Sequence, residues 1–217
     1  DGDGQWHDGG NNYLGHLRLA IVDMEGGTQP LETEDGSLVV VFNGEIYNHH
    51  ELREQLESRG HRFKTDHSDT EVLLYGYREW GIDLTRKLNG MWAFALMDQK
   101  NGLLWLSRDR FGKKPLYYTQ KGETFAFSSE LASLATHPIV ENSIDRLSLV
   151  KYFAYGYIPA PRSMLSGVNK LPAGHDLLFD LRTRKSTVRR YWRLQLEPDE
   201  SLAAKPEEVT SLLISKL

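Results

Sequence analysis

Two short stretches of the sequence carry groups that could handle a carbonyl substrate. In Val39–Asn48, VVVFNGEIYN, four apolar residues run straight into Asn43-Gly44. An apolar run of this length, bounded by a turn dipeptide, fits a strand buried on both faces. Such a strand delivers one side-chain amide, Asn43, and one unhindered backbone N–H, Gly44, to the rim of a sheet. Two neutral donors held on a rigid element can stabilise an oxyanion. Further on, Ser68-Asp69-Thr70-Glu71 has the S-x-x-E form of a capping box, which puts Asp69 in the first turn of a helix. The sequence contains no cysteine, so it supplies no disulfide, thiolate metal site or thiol nucleophile. His67-Ser68-Asp69 are neighbours in sequence and cannot face one another as a triad. His49-His50 reads as a surface pair at a helix start rather than a metal site.

The elements that must position these groups alternate between two periods. Residues 1–12 are polar and Gly-rich and read as a loop. Tyr13–Asp23 is strand-like, with Leu17, Leu19 and Ile21 alternating against Arg18 and Ala20. Gly26–Pro30 reads as a turn, and Ser37–Phe42 as the strand before Asn43. His49–Arg59 looks helical, closed by Gly60, and the helix behind Ser68 runs to Trp80, closed by Gly81. Gly90–Asp98 and Leu103–Arg108 read as paired strands around Asn101-Gly102. Pro115–Gln120 and Thr124–Ser128 form a second hairpin. Leu131–Thr136 and Asp145–Tyr155 are expected helices, and Val168–Leu171 and His175–Leu181 expected strands. Hairpins with two helices after the first strands imply an α+β layered domain with a largely antiparallel core.

Composition bounds the function. Of 217 residues, 40% are hydrophobic and 26% charged, an ordinary globular balance. The net charge of −4 and pI near 6.1 give no electrostatic reason to expect nucleic acid. The basic run Arg182–Arg190 therefore reads as the solvated face of a hairpin. No apolar run approaches the roughly 20 residues needed to span a bilayer. The chain opens Asp-Gly-Asp-Gly without a Met and closes within a helical pattern, so it is expected to be a piece of a longer protein. Residues 195–205 turn polar, acidic and Pro-bearing, as a linker would, and Pro206–Leu217 starts a new helix with Pro at its first position.

Four stretches together resemble a known family: LGHLRLAIVD (Leu14–Asp23), FNGEIYN (Phe42–Asn48), SDTEVLL (Ser68–Leu74) and RDRFGKKPLYY (Arg108–Tyr118). In order and spacing they resemble the glutaminase domain of class II glutamine amidotransferases, most closely that of glutamine-hydrolysing asparagine synthetases. The resemblance covers residues 1–194. It implies the N-terminal-nucleophile hydrolase fold, a four-layer αββα sandwich of antiparallel sheets. It also implies L-glutamine as substrate and assigns Asn43 and Gly44 to the oxyanion hole. Arg18 would hold the substrate carboxylate, for which a planar guanidinium is suited. Asp69 would hold the ammonium, with help from Glu45, and the backbone from Leu19 through Ala20 and Ile21 to Val22 would border the pocket.

The same resemblance implies two things the sequence lacks. The family nucleophile is an N-terminal cysteine activated by its own α-amino group. As written, the chain cannot hydrolyse glutamine by that route. Residues 206–217 would open a following synthetase domain that amidates aspartate with ATP and Mg²⁺. No cofactor is expected on residues 1–194. The implied setting is cytoplasmic, without nucleic acid or membrane, and a homodimer is compatible with it. The competing readings are a nucleophile-free glutamine-binding or scaffolding module, and an amidotransferase with another acceptor in an exopolysaccharide or natural-product pathway.

Overall fold

The computed structural model describes residues 2–18, 28–65, 68–198 and 206–215. Its centre is a six-stranded antiparallel sheet. Strand β4 (Leu38–Ile46) pairs with β5 (Gly90–Asp98), β5 with β6 (Leu103–Arg108), and β6 with β10 (His175–Asp180). The two-residue β3 (Leu31–Glu32) lies beyond β4, and β11 (Lys185–Arg190) closes the far edge. Period-two alternation decides which side chains face which layer. Val40, Phe42 and Ile46 point to one core, shared with Leu52 and Leu56 of α1 (His49–Ser58) and Val72 and Leu73 of α2 (Asp69–Trp80). Val39 and Val41 point to the other, shared with Ala93, Ala95 and Leu106.

That second core is roofed by two smaller sheets. One pairs β1 (Gly2–His7) with β2 (Tyr13–Arg18). The other has the order β8-β7-β9, from Thr124–Ser128, Tyr117–Lys121 and Val168–Lys170. Leu14, Leu116, Phe125 and Phe127 come down from this roof onto the sheet below. A third cluster, around Leu134 and Val168, packs α4 (Leu131–Ala135) above the three-stranded sheet. The layers are therefore helix, sheet, sheet, helix. A short α3 (Leu84–Lys87), the exposed α5 (Arg146–Tyr155) and α6 (Pro206–Ile214) complete the elements.

Three local expectations are corrected. Asn43-Gly44 forms no turn, since β4 runs on to Ile46 with Asn43 opposite Ala93 and Gly44 opposite Trp92, the β5 ladder overriding the local turn preference. Residues 2–7 form a strand where the Gly-rich composition suggested a loop; its burial alternates, but Trp6 is the one large apolar residue on the inner side, too little for an apolar period to show. The capping box does not form either. Ser68 sits at the N-cap of α2 but makes no side-chain cap bond. Glu71 instead accepts from the backbone N–H groups of Lys64 (2.7 Å) and Thr65 (2.9 Å), pinning the approach to the helix.

Candidate active site

The outer edge of β4 is where the chemistry-bearing residues meet. Trp92 uses both of its backbone polar groups on Asp109: its N–H reaches Oδ2 at 3.3 Å, and its C=O accepts from the Asp109 N–H at 2.9 Å. Both therefore point toward β6, away from β4. In an antiparallel pair, the residue opposite must turn its own N–H and C=O outward as well. That residue is Gly44. By the same alternation Phe42 and Ile46 point outward on either side of it, about 7 Å away.

Both neighbours are committed. The Phe42 N–H donates to Gln29 Oε1 at 2.6 Å, and its carbonyl accepts from Gln29 Nε2 at 3.0 Å and from His16 Nε2 at 3.1 Å. The Ile46 N–H donates to Asp69 Oδ2 at 2.9 Å. Between them, the Gly44 N–H has no partner among the described residues. A glycine is required there on steric grounds, because a Cβ would overlap the Met91 carbonyl oxygen and come 2.8 Å from Trp92 Cα. Gly90 meets the same crowding from Glu45, so a pair of glycines lets β4 and β5 close together at this end.

Asn43 leaves β4 from its face rather than its edge. It lies on the same side as Val41 and lines a cavity of about 380 Å³ between the sheets. His16, Ala93, Phe127 and His137 line it as well. One donor projects edgewise and one from the face, so the point both can reach is the corner where the edge of β4 meets this cavity. A carbonyl oxygen placed there would receive two neutral hydrogen bonds as it gained charge.

Asp69 stands beside that corner. Burial pushes its carboxyl above the ordinary value, Glu45 adds to the rise, and the Ile46 N–H and His49 oppose it. A desolvated carboxylate with a second acid close by suits a small cation such as an ammonium group. Its orientation comes from Ile46, not from the expected capping box. His49 is half-buried beside it, its imidazole pKa lowered by burial and by His50, rather than lying on the open surface. The next segment is fixed by Asn48, whose side chain donates to the Lys87 carbonyl and accepts from the Asn89 N–H.

The structure thus brings Asn43, Gly44, Glu45 and Asp69 to one end of β4. Arg18 ends β2, two residues beyond the His16 that touches the Phe42 carbonyl. The Arg18 side chain and residues Leu19, Ala20, Ile21 and Val22 lie outside the described residues. Sequence reasoning missed Gln29, and it placed Asp109 in the Arg108–Tyr118 stretch without the bonds that it gathers. Gln29 sits in a stretch legible only as a turn. The N–H bonds gathered by Asp109 leave no periodic trace.

Residues 1–192 match the sequence family described as the glutamine amidotransferase domain. The chain belongs to this family. Among its relatives is asparagine synthetase (glutamine-hydrolyzing) 3 of Bacillus subtilis, 40% identical over 187 residues, which are 85% of this chain and 30% of that protein. Putative asparagine synthetase (glutamine-hydrolyzing) 2 of Methanocaldococcus jannaschii is 39% identical over 199 residues, 83% of this chain and 38% of that protein. The chain thus spans about a third of the length of these relatives. Among solved structures, the glutamine phosphoribosylpyrophosphate amidotransferase of B. subtilis aligns with a TM-score of 0.57 at 21% identity, over 84% of this chain and 35% of that one. An allosteric regulatory enzyme of purine biosynthesis aligns with a TM-score of 0.58 at 22% identity over the same shares. These likenesses show the fold of this family member: the αββα sandwich of the N-terminal-nucleophile amidotransferases.

Proposed function

We propose that the chain is the glutaminase domain of a glutamine-hydrolysing asparagine synthetase, releasing ammonia from L-glutamine for ATP-dependent amidation of aspartate. The observation that carries this is the Gly44 N–H, without a partner among the described residues and held between the clamped Phe42 and the Asp69-bound Ile46, with Asn43 at its side. Asp69 and Glu45 receive the substrate ammonium and Arg18 its carboxylate. The family resemblance adds the backbone of residues 19–22, outside the described residues, as a border of the pocket. The side-chain carbonyl of glutamine is thereby led to the two donors.

The nucleophile belongs to a segment not in this sequence. In support, β2 and β8 both line the cavity under which Asn43 lies, and each has one edge without a strand partner among the described residues. One further strand between them would complete the roof and pass over Asn43. We assign that place to a strand beginning with the family's cysteine. Its thiolate would attack the glutamine carbonyl, the resulting oxyanion would rest on Asn43 and Gly44, and collapse to a thioester would expel ammonia. Water then releases glutamate and restores the thiol. ATP and Mg²⁺ are the business of the domain that α6 introduces after the 195–205 linker; residues 1–194 are given no nucleotide role.

The test is an N-terminal mass determination on the natural protein, followed by assays with L-glutamine, aspartate and ATP. A mature N-terminal Cys, release of glutamate and formation of asparagine are expected. An N-terminus other than Cys, with no glutamate formed, replaces this reading with a nucleophile-free binding module. Glutamate without asparagine moves the reading to another acceptor.

A further inference from the structure

Gln29 occupies an unusual place in the ladder. In the pairing of β3 with β4, Leu31 faces Val40 and Glu32 faces Val39. Continued by one rung, the same register sets residue 29 opposite Phe42. The backbone of Gln29 does not take that rung. It lies against β1, where a Cβ on Gly4 would overlap the Gln29 carbonyl oxygen. The side chain takes it instead. Its primary amide accepts from the Phe42 N–H and donates to the Phe42 C=O, the two bonds a paired strand residue would make. His16, reaching in from β2, adds a donor to the same carbonyl.

We propose that Gln29 is a positioning residue for the oxyanion pair. Its amide substitutes for a strand and fixes the Phe42 peptide, and through it the direction of the Gly44 N–H and the root of the Asn43 side chain. A backbone strand continued along this edge would also have covered Gly44. A side chain holds Phe42 and stops there, leaving the next outward amide without a partner among the described residues. This rests on the functional reading above only for the purpose of the open amide; the clamp itself does not depend on it.

The experiment uses the natural protein, as wild type, Gln29→Ala and Gln29→Glu. Amide hydrogen exchange is followed by NMR at Phe42, Gly44 and, as a control for global stability, Leu96 in β5. Binding of L-glutamine is compared with that of L-2-aminobutyrate, which keeps the ammonium and carboxylate but lacks the side-chain amide. In Gln29→Ala, Phe42 should exchange on the order of tenfold faster or more, and the Gly44 resonance should move, with Leu96 unchanged. Glutamine should lose its advantage over 2-aminobutyrate while 2-aminobutyrate binds as before. Gln29→Glu should behave like wild type when its carboxyl is protonated, because the acid can both donate to the Phe42 carbonyl and accept from its N–H. It should fail once ionised. His16, the other titratable group on that carbonyl, is common to all three proteins.

Unchanged protection of Phe42 in Gln29→Ala overturns the proposal. So does release of Phe42 with the preference for glutamine intact. If the wild type binds neither amino acid, the glutaminase reading fails separately, and the Phe42 and Gly44 amides still decide the clamp.

Discussion

Asp109 holds Trp92 by both of its backbone polar groups and so turns the edge of the facing Gly44 outward. The same carboxylate, 1% exposed, accepts from the N–H groups of Phe111, Lys113 and Lys114, each at 3.0 Å. Asp109→Ala strands four backbone donors, of which the Trp92 N–H is buried and the other three partly so, and should cost about 2–3 kcal/mol, since an unsatisfied buried donor costs about 1–3 kcal/mol and donors within reach of water cost less. Asp109→Asn should also destabilise the fold, because its NH₂ would face two donors. Denaturant unfolding gives the loss, and faster exchange at Trp92 and Lys114 should locate it.

Gly44→Ala should destabilise the domain on the order of 3 kcal/mol, the upper range for forced overpacking. The added methyl meets backbone atoms of Met91 and Trp92, which cannot rotate away. Thermal unfolding of the variant would show it, and a wild-type Tm would mean that β4 and β5 can separate freely at this end.

Asn43→Ala should leave stability nearly intact, because Asn43 faces a cavity rather than packed neighbours. In the natural, Cys-bearing protein it should lower glutaminase turnover by about a hundredfold or more, the usual loss for one oxyanion donor. Steady-state kinetics with L-glutamine checks this. Turnover equal to wild type would remove Asn43 from the site.

Asp69 links binding to pH and to stability in opposite senses. Only its ionised form can pair with a substrate ammonium. Because burial raises its pKa, glutamine affinity should fall with acidification sooner than for an ordinary carboxylate of pKa 3.8. For folding, a raised carboxyl contributes most below that unfolded value, and the contribution is lost as pH rises through the folded one. Asp69→Asn should therefore unfold at a higher temperature near neutral pH. It should also bind glutamine about tenfold to a hundredfold more weakly, the range for losing one charged hydrogen bond. Calorimetry across pH reads both. A variant that is neither more stable nor weaker in binding would contradict the assignment.

Asp176, fully buried, is paired with Arg189 by bonds of 2.9 and 3.0 Å. Burial pushes its carboxyl up even so. Arg189→Met should cost about 3–5 kcal/mol by leaving that charge alone. Adding Asp176→Asn should recover much of it. Two equal and additive losses in the double-mutant cycle would argue against the pairing.

The sequence made legible those parts whose cause is local. Helices α1 and α2 show their ends through Gly60 and Gly81, and the β5–β6 hairpin shows its turn through Asn101-Gly102. Asn43-Gly44 stands out in the sequence as a turn-type pair at the end of an apolar run, although the strand continues through both residues to Ile46. What stayed hidden depends on partners far along the chain. Strand β1 shows only Trp6 on its inner side, and one residue makes no period. The role of Glu71 depends on a loop folding back to it rather than on its place after Ser68. Gln29 bonds to Phe42, 13 residues away, using a side chain as if it were backbone. No periodicity encodes such a bond.

The arrangement along the rim of β4 has a bearing on solubility. An uncovered run of strand amides is a template onto which another molecule can stack. Here β3, then a glutamine, then an aspartate interrupt that run, so no two successive outward rungs lie bare between Val40 and Ile46. This rim can offer one amide to a small molecule while giving a foreign β-strand nothing long enough to grip along it.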